Sequence, residues 1–307
     1  MSTSSGSGAL AIARLGDPSL QRPARPPRLV ALDLDGTCLQ RGVLPERTRD
    51  AVRRSVRAGR STIVIATGRT YRTAVPWLQE LEVTAPLVCF GGALIRRPPG
   101  PEDPHVDGAQ VGATLFQVNL EPGVARQAIG IIRAGGWQCL VDAGELVYSE
   151  ARRGDGKEAT VSAGQSRILF IEDVESLLDR APVHRVVALD PDPHRADLAE
   201  STLRERLGDL ATVVRSLPTY IEVASLAASK GQALRWLCRH WDIDPRDTVG
   251  AGDSGNDLDL VRAAGLGVAV ANAVPEVLAA AALVVPAVGD SGVADLLGWL
   301  GADPAAD

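Results

Sequence analysis

The 307-residue sequence holds only four cysteines and four histidines, which leaves little material for soft-metal centres or crosslinks. Cys38, Cys89, Cys139 and Cys238 lie far apart and include no Cys-x-x-Cys pair. That spacing argues against a disulfide framework or a thiolate zinc site and predicts reduced, mostly buried thiols of a cytoplasmic protein. Cys38 has no histidine near it in sequence and reads as a small apolar residue rather than a catalytic thiol. The histidines show no metal-ligand spacing. No apolar run approaches the ~18 residues of a membrane helix. Ala9-Leu-Ala-Ile-Ala13 is too short for a signal-peptide core and has no basic segment before it. There is no basic stripe for nucleic-acid phosphates, and the net charge is −6 with a pI near 5.4. Membrane and nucleic acid are therefore not expected partners.

What the chain does have is a soluble globular balance, 45% hydrophobic and 23% charged, at a length that suits two domains. Residues 1–27, rich in Ser, Gly, Pro and Arg, read as a disordered tail. After them short apolar runs alternate with helical patterns. Strands are expected at Leu29–Leu32, Ile63–Ala66, Leu87–Phe90, Val249–Ala251, Leu266–Val270 and Leu283–Val285. Helices are expected at Glu46–Ala58, Ala233–His240, Asp257–Ala264 and Pro275–Ala281. This is the pattern of a doubly wound α/β fold, a parallel sheet covered on both faces. The Pro-rich break Arg96-Arg-Pro-Pro-Gly-Pro101 interrupts it. From there to about Ser225 the pattern is strand-rich, with helical stretches Gly123–Ala134, Val174–Arg180 and Pro193–Leu207. The reading is a core of residues 28–97 and 226–307 with an α+β domain of residues 98–225 inserted. Within the insert, Arg152–Lys157 is expected to be a flexible loop. Arg96, Arg97, Arg215 and Glu222 lie near the expected junctions and read as solvated or structural residues.

The chemistry-bearing residues follow strands. Asp33 and Asp35 end Leu29-Val-Ala-Leu-Asp-Leu-Asp-Gly-Thr37, Thr67 follows the second strand, and Asp253 and Asp257 end Thr248-Val-Gly-Ala-Gly-Asp-Ser-Gly-Asn-Asp257. In doubly wound sheets the carboxyl edge is where ligands bind. Lys230 opens a helix, an unfavourable place for a cation against the helix dipole, which suggests another reason for it. Four acids, a hydroxyl and an ammonium can form one phosphoryl-transfer site: one carboxylate can attack phosphorus, others hold a hard cation, and the hydroxyl and ammonium steady the phosphate oxygens. A calcium loop does not fit, because Gly36 at its sixth position would put Ala31 first and Gly42 twelfth.

Four segments in order, Asp33-Leu-Asp-Gly-Thr37, Ala66-Thr-Gly-Arg69, Ser229-Lys-Gly-Gln-Ala-Leu234 and Gly252-Asp-Ser-Gly-Asn-Asp257, resemble the motifs of the haloacid-dehalogenase superfamily, in the order and spacing of its Cof-type, subclass IIB phosphatases. Asn272-Ala-Val-Pro-Glu276 and Gly292-Val-Ala294 fit the same family. One run departs from it: Phe90-Gly-Gly-Ala93 has Gly91 where the family usually has Asn, so a contact from that side chain is lost or moved. The resemblance implies a Rossmann-like core with a C2B cap. It implies Asp33 as nucleophile, Asp35 as general acid and base, and Thr67, Gly68, Lys230 and Asn256 around the phosphate. Arg69 suits either phosphate contact or a structural ion pair. For Mg²⁺ it implies Asp33, Asp35 through its backbone carbonyl, and Asp253, with Asp257 as ligand or behind one; the Ser254–Asp257 run also suits a helix cap.

The expected activity is Mg²⁺-dependent hydrolysis of small phosphorylated metabolites, sugar phosphates above all, by a monomer or weak homo-oligomer. Two alternatives stand beside it. A phosphomannomutase-like enzyme shares the core and cap, although its second motif resembles Gly-Gly-Ser-Asp rather than Ala66-Thr-Gly-Arg69. A non-catalytic sugar-phosphate sensor would not need Asp33, Asp35, Lys230 and Asp253 intact.

Overall fold

The computed structural model describes residues 13–106, 108–150, 158–160 and 167–306, so the expected loop Arg152–Lys157 lies outside the described residues. Six parallel strands form the main sheet, in the order Ala13–Arg14, Leu283–Val285, Leu266–Val270, Thr248–Gly252, Leu29–Leu32 and Thr62–Ile65. The four residues of Leu29–Leu32 are buried on both faces, which explains an unbroken apolar run where a one-sided strand would alternate. Helices cover the sheet, among them Glu46–Ala58, Tyr71–Leu81, Lys230–His240 and Gly292–Trp299. Among the described residues no helix is long and apolar enough to cross a membrane.

Chain order runs outward from Leu29–Leu32 in both directions: Thr62–Ile65 flanks it on one side and Thr248–Gly252 on the other. The gap at this switch of direction, at the carboxyl ends of the strands, is where such a sheet leaves room for a ligand. Register sets it precisely enough to matter: Ala251 pairs with Leu32, and Asp33 N–H donates to Ala251 O at 3.0 Å.

Beyond Thr62–Ile65 a bridge from Ala66 to Val88 leads to Leu87–Cys89, which pairs antiparallel with Leu94–Arg96, and that strand in turn with Thr114–Gln117. Residues 114–117 thus hydrogen-bond to the core side of the expected boundary rather than to the second sheet. That second sheet has seven strands, ordered Glu158–Thr160, Arg167–Ile171, Leu146–Glu150, Gln138–Ala143, Val183–Leu189, Tyr220–Ala224 and Thr212–Leu217. Helices Pro122–Ala134 and Pro193–Leu207 pack on one of its faces.

Two expectations need correction. Residues 13–27 are not disordered: Ala13 and Arg14 pair with Leu283 and Val284, Leu15 N–H reaches Val284 O at 2.8 Å, and Leu15 and Leu20 pack on the core. The edge strand's unpaired backbone groups give a short segment a template, despite its polar surroundings. The stretch Val174–Arg180 is a 3₁₀ turn over Val174–Leu177, capped by Asp173 accepting from Glu175 N–H, and not a full helix.

The two sheets meet through side chains. The strand Val183–Leu189 shifts register against Gln138–Ala143 between Val183 and Arg185, a bulge at His184. Bulges re-aim side chains beside functional sites. Here the His184 ring stacks on Phe90, centroids 4.4 Å apart, while Arg96 of the core pairs with Glu145 of the second sheet. Burial, with the guanidiniums of Arg96 and Arg185 nearby, lowers the His184 pKa to about 4. An ordinary histidine titrates near 6.5, so between pH 6.5 and about 4 the unfolded chain takes up a proton that the folded chain refuses. This histidine therefore subtracts stability as pH falls through that window and is neutral in effect above it. His184→Phe keeps a stacking ring and removes the proton; its Tm should fall less than that of the wild type between pH 6.5 and 4, and parallel profiles by calorimetry would refute the assignment.

Candidate active site

The loop after Leu29–Leu32 folds back on itself. Cys38 and Leu39 N–H both donate to Leu34 O, Gly36 N–H donates to Leu39 O, and Gly36 takes a φ of +88°. A side chain at Gly36 is excluded twice, by that dihedral and because its Cβ would lie 2.2 Å from Asp253 Oδ2. The close approach sets the Asp33–Asp35 loop against the Asp253 loop, and Thr37 Oγ1 donates to Asp253 Oδ1 at 3.2 Å. Asn272 ties a third segment in: its Nδ2 donates to Gly36 O at 2.8 Å, and its Oδ1 accepts from Val288 N–H.

Lys230 is the opposite pole. Ser229 caps its helix by accepting from Gln232 N–H, and the Lys230 side chain, 1% exposed, runs inward to Asp33 Oδ1 at 2.6 Å and Asp257 Oδ1 at 2.5 Å. The other Asp257 oxygen accepts from Asp253 N–H, Ser254 N–H and Ser254 Oγ. Asp257 therefore caps the Gly255–Asp257 turn and holds Lys230 at once, with both oxygens engaged. For the lysine, burial is the largest single influence and disfavours the ammonium, but the charges and hydrogen bonds of Asp257 and Asp33 together hold the pKa above the ordinary lysine value. The acids respond in the other direction. Burial, then the charge of Asp257, pushes Asp33 well above the usual carboxylate range and lifts Asp253 to about 7.

Asp33, Asp253 and Asp257 each bring a carboxylate oxygen to within 4.8 Å of the others. Three carboxylates face one ammonium, and Asp33 Oδ2 is buried with no hydrogen-bond partner. An excess of hard, anionic oxygens around a single ammonium fits Mg²⁺. Asp35 lies outside this cluster by its side chain, 44% exposed, which Arg69 grips with two bonds of 2.6 Å. Of the two readings open for Arg69, the structure displays the ion pair, with Trp77 under the guanidinium at 5.6 Å. Thr67 Oγ1 is buried and accepts from Arg69 N–H at 3.1 Å, which leaves its own hydrogen to donate. Asn256 Oδ1 accepts from Ser254 Oγ at 2.9 Å, and its Nδ2 lies 3.3 Å from where a Cβ would stand on Gly68.

Residues 30–297 match the haloacid dehalogenase-like hydrolases. The chain belongs to that family. YxeH of Bacillus subtilis is 29% identical over 266 residues, which is 83% of this chain and 91% of YxeH. The HMP-PP phosphatase of Yersinia enterocolitica is 26% identical over 251 residues, 81% of this chain and 85% of that one. The solved structure of the subclass IIB sugar phosphatase BT4131 shares the fold, with a TM-score of 0.72 at 18% identity over 90% of this chain and 99% of that one. The protein is thus a Cof-type haloacid dehalogenase-like phosphatase, a phosphoric monoester hydrolase with the α/β core of its family.

Of the other junction residues, Arg96 is buried between Thr114, Glu145 and the ring of Tyr71, Arg97 pairs with Asp103, and Arg215 pairs with Asp197 and Glu200. These three are structural. Glu222 is different, because it joins an ion-pair group with Arg185 and Asp142 that the sequence did not single out. The available signal was weak: charges inside otherwise apolar strands, at Asp142, Arg185 and Glu222.

Gly36→Ala tests the close approach of the two acidic loops. The variant should fold but displace Asp253, and its Mg²⁺ affinity by isothermal titration should drop by about tenfold or more. An unchanged Kd would mean that the Gly36 loop yields without moving Asp253.

Proposed function

We propose that this phosphatase hydrolyses small phosphate monoesters, sugar phosphates in particular, through a phosphorylated Asp33, with Mg²⁺ as cofactor. One observation carries the reading: a buried carboxylate has one oxygen fixed by an ammonium at 2.6 Å and the other without a partner. A nucleophile needs that asymmetry, one atom held for aim and one free to attack.

Asp33 and Asp253 are the residues that would hold Mg²⁺, Asp257 serving as ligand or behind one and Asp35 adding only its backbone carbonyl, and the bound ion would offset the negative charge gathered at the phosphate. In the first step Asp33 Oδ2 bonds to phosphorus as the bond to the leaving oxygen breaks, and Asp35 delivers its proton to that oxygen. Lys230 keeps Asp33 oriented, and the Thr67 hydroxyl donates to a phosphoryl oxygen beside Gly68 and Asn256. In the second step Asp35 takes a proton from water, whose oxygen attacks phosphorus and frees Asp33. Both Asp35 oxygens accept from Arg69, so Asp35 has to leave that pair before it protonates the leaving group. The second domain, residues 98–225 in this reading, serves as a cap that limits substrate size and water access.

The names of the relatives, an HMP-PP phosphatase and a sugar phosphatase, support a small phosphorylated substrate. Four free, buried cysteines suit the reducing cytoplasm. We take the active form to be a monomer or weak homo-oligomer.

Asp33→Asn is nearly isosteric but a poor nucleophile. It should lower kcat by more than about a hundredfold with the fold intact, and retention of more than that fraction would count against covalent catalysis. Asp35→Ala should slow alkyl phosphates far more than p-nitrophenyl phosphate, whose leaving group hardly needs a proton. Equal losses in single-turnover phosphoenzyme formation would remove the proton-donor role.

A further inference from the structure

Arg185 is 9% exposed, lies at the bulge of the second sheet and faces the core site. Its Nη1 is 3.8 Å from the place a Cβ would take on Gly68, the residue between Thr67 and Arg69, and its guanidinium sits 5.7 Å from the Phe90 ring. Asp142 binds the Nε edge. Glu222 Oε1, which also accepts from Ser216 Oγ at 2.6 Å, lies 2.8 Å from Nη1, so Nη1 is buried and ion-paired there without a well-formed hydrogen bond. Tyr220 lies two positions from Glu222 on the same strand, hence on the same face, and its buried hydroxyl has no hydrogen-bond partner.

We infer that Arg185 holds the leaving-group side of the substrate, and that Asp142 and Glu222 beside it select a neutral, hydroxylated leaving group over an anionic one. This rests on the phosphatase reading above. A guanidinium gripped on one edge is fixed in plane and offers its remaining N–H bonds in one direction, here toward the phosphate loop. A buried N–H that is ion-paired but poorly hydrogen-bonded can take an acceptor from outside the chain. Charge decides which kind. Two carboxylates face one guanidinium, so the group as a whole is negative. The nearby cations are committed, Arg69 to Asp35 and Lys230 to Asp33 and Asp257. A second phosphate or a carboxylate on the substrate would meet this group without a free cation, whereas a sugar hydroxyl can accept from Nη1 and donate to Glu222. The predicted substrates are monophosphate esters of sugars or sugar alcohols, with bisphosphates rejected.

The test compares kcat and KM for glucose 6-phosphate, ribose 5-phosphate, fructose 1,6-bisphosphate and acetyl phosphate, which has no hydroxylated leaving group. The wild type should prefer a monophosphate to the bisphosphate. Arg185→Met should lower kcat/KM for the better sugar monophosphate by about thirtyfold or more, chiefly through KM, and for acetyl phosphate by less than about threefold. Arg185→Lys should restore part of the loss. Glu222→Gln removes one negative charge and should raise the bisphosphate-to-monophosphate ratio of kcat/KM by about tenfold; this arm stands even if Arg185→Met does not fold. Equal losses on acetyl phosphate would assign Arg185 to the transferred phosphoryl group. A lower Tm with unchanged kinetics would make the ion-pair group structural, and a wild-type preference for the bisphosphate would overturn the charge argument. Each of these defeats the inference while phosphatase activity persists. Release from none of the four substrates would defeat the phosphatase reading, and this inference with it.

Discussion

The ammonium of Lys230 between Asp33 and Asp257 is the contact on which the site depends. Two loops from adjacent strands bring three carboxylates together in a buried space, and mutual repulsion would spread them if no cation stood among them. Breaking a buried charge pair by removing one partner typically costs about 3–5 kcal/mol, because the survivor is left uncompensated. Lysine suits the place better than arginine would: a compact charge on a flexible stem reaches through a packed interior and donates to two separate carboxylates. The lysines of the chain are Lys157 and Lys230, against a large arginine content, so the choice at position 230 stands out from the composition.

The core sheet was legible in the sequence because parallel, two-sided strands give unbroken apolar runs, and Leu29–Leu32, Leu266–Val270 and Leu283–Val285 have the bounds expected of them. The helix Tyr71–Leu81 was not, since Pro76 in its interior reads as a breaker, while Thr70 caps it by accepting from Thr73 N–H. Asp33, Lys230, Asp253 and Asp257 come together because each stands at the end of an element, which sequence can show. The grip of Arg69 on Asp35 and the group of Arg185, Asp142 and Glu222 are pairings between distant segments. Local pattern carries no record of which distant charge meets which.

Gly91 shows how a departure from a family pattern is read physically. Phe90, Gly91 and Gly92 all have positive φ, at 49°, 62° and 105°. Asparagine and glycine are the residues that adopt this left-handed region most readily, so exchanging one for the other keeps the backbone path and drops only an amide. A Cβ on Gly91 would have open space around it, whereas one on Gly92 would collide with Ser229 O at 2.1 Å. Position 91 thus has room for a side chain that accepts the left-handed region, such as Asn, and position 92 has none, because the chain passes there against the start of the Lys230 helix.

Lys230 and Asp33 are 197 residues apart, and the whole second sheet is threaded between them. For a flexible chain such a loop is entropically costly to close, although each doubling of length adds only about 0.6 kcal/mol. The larger effect is on order of events. Once the second sheet has folded, the chain leaving the core after Gln117 and returning near Ala224 is anchored in one compact body, and the open chain between the two partners shortens to the segments 33–117 and 224–230. An insert that folds first would therefore shorten the search for the ion pair that organises a site to which it lends no acidic ligand.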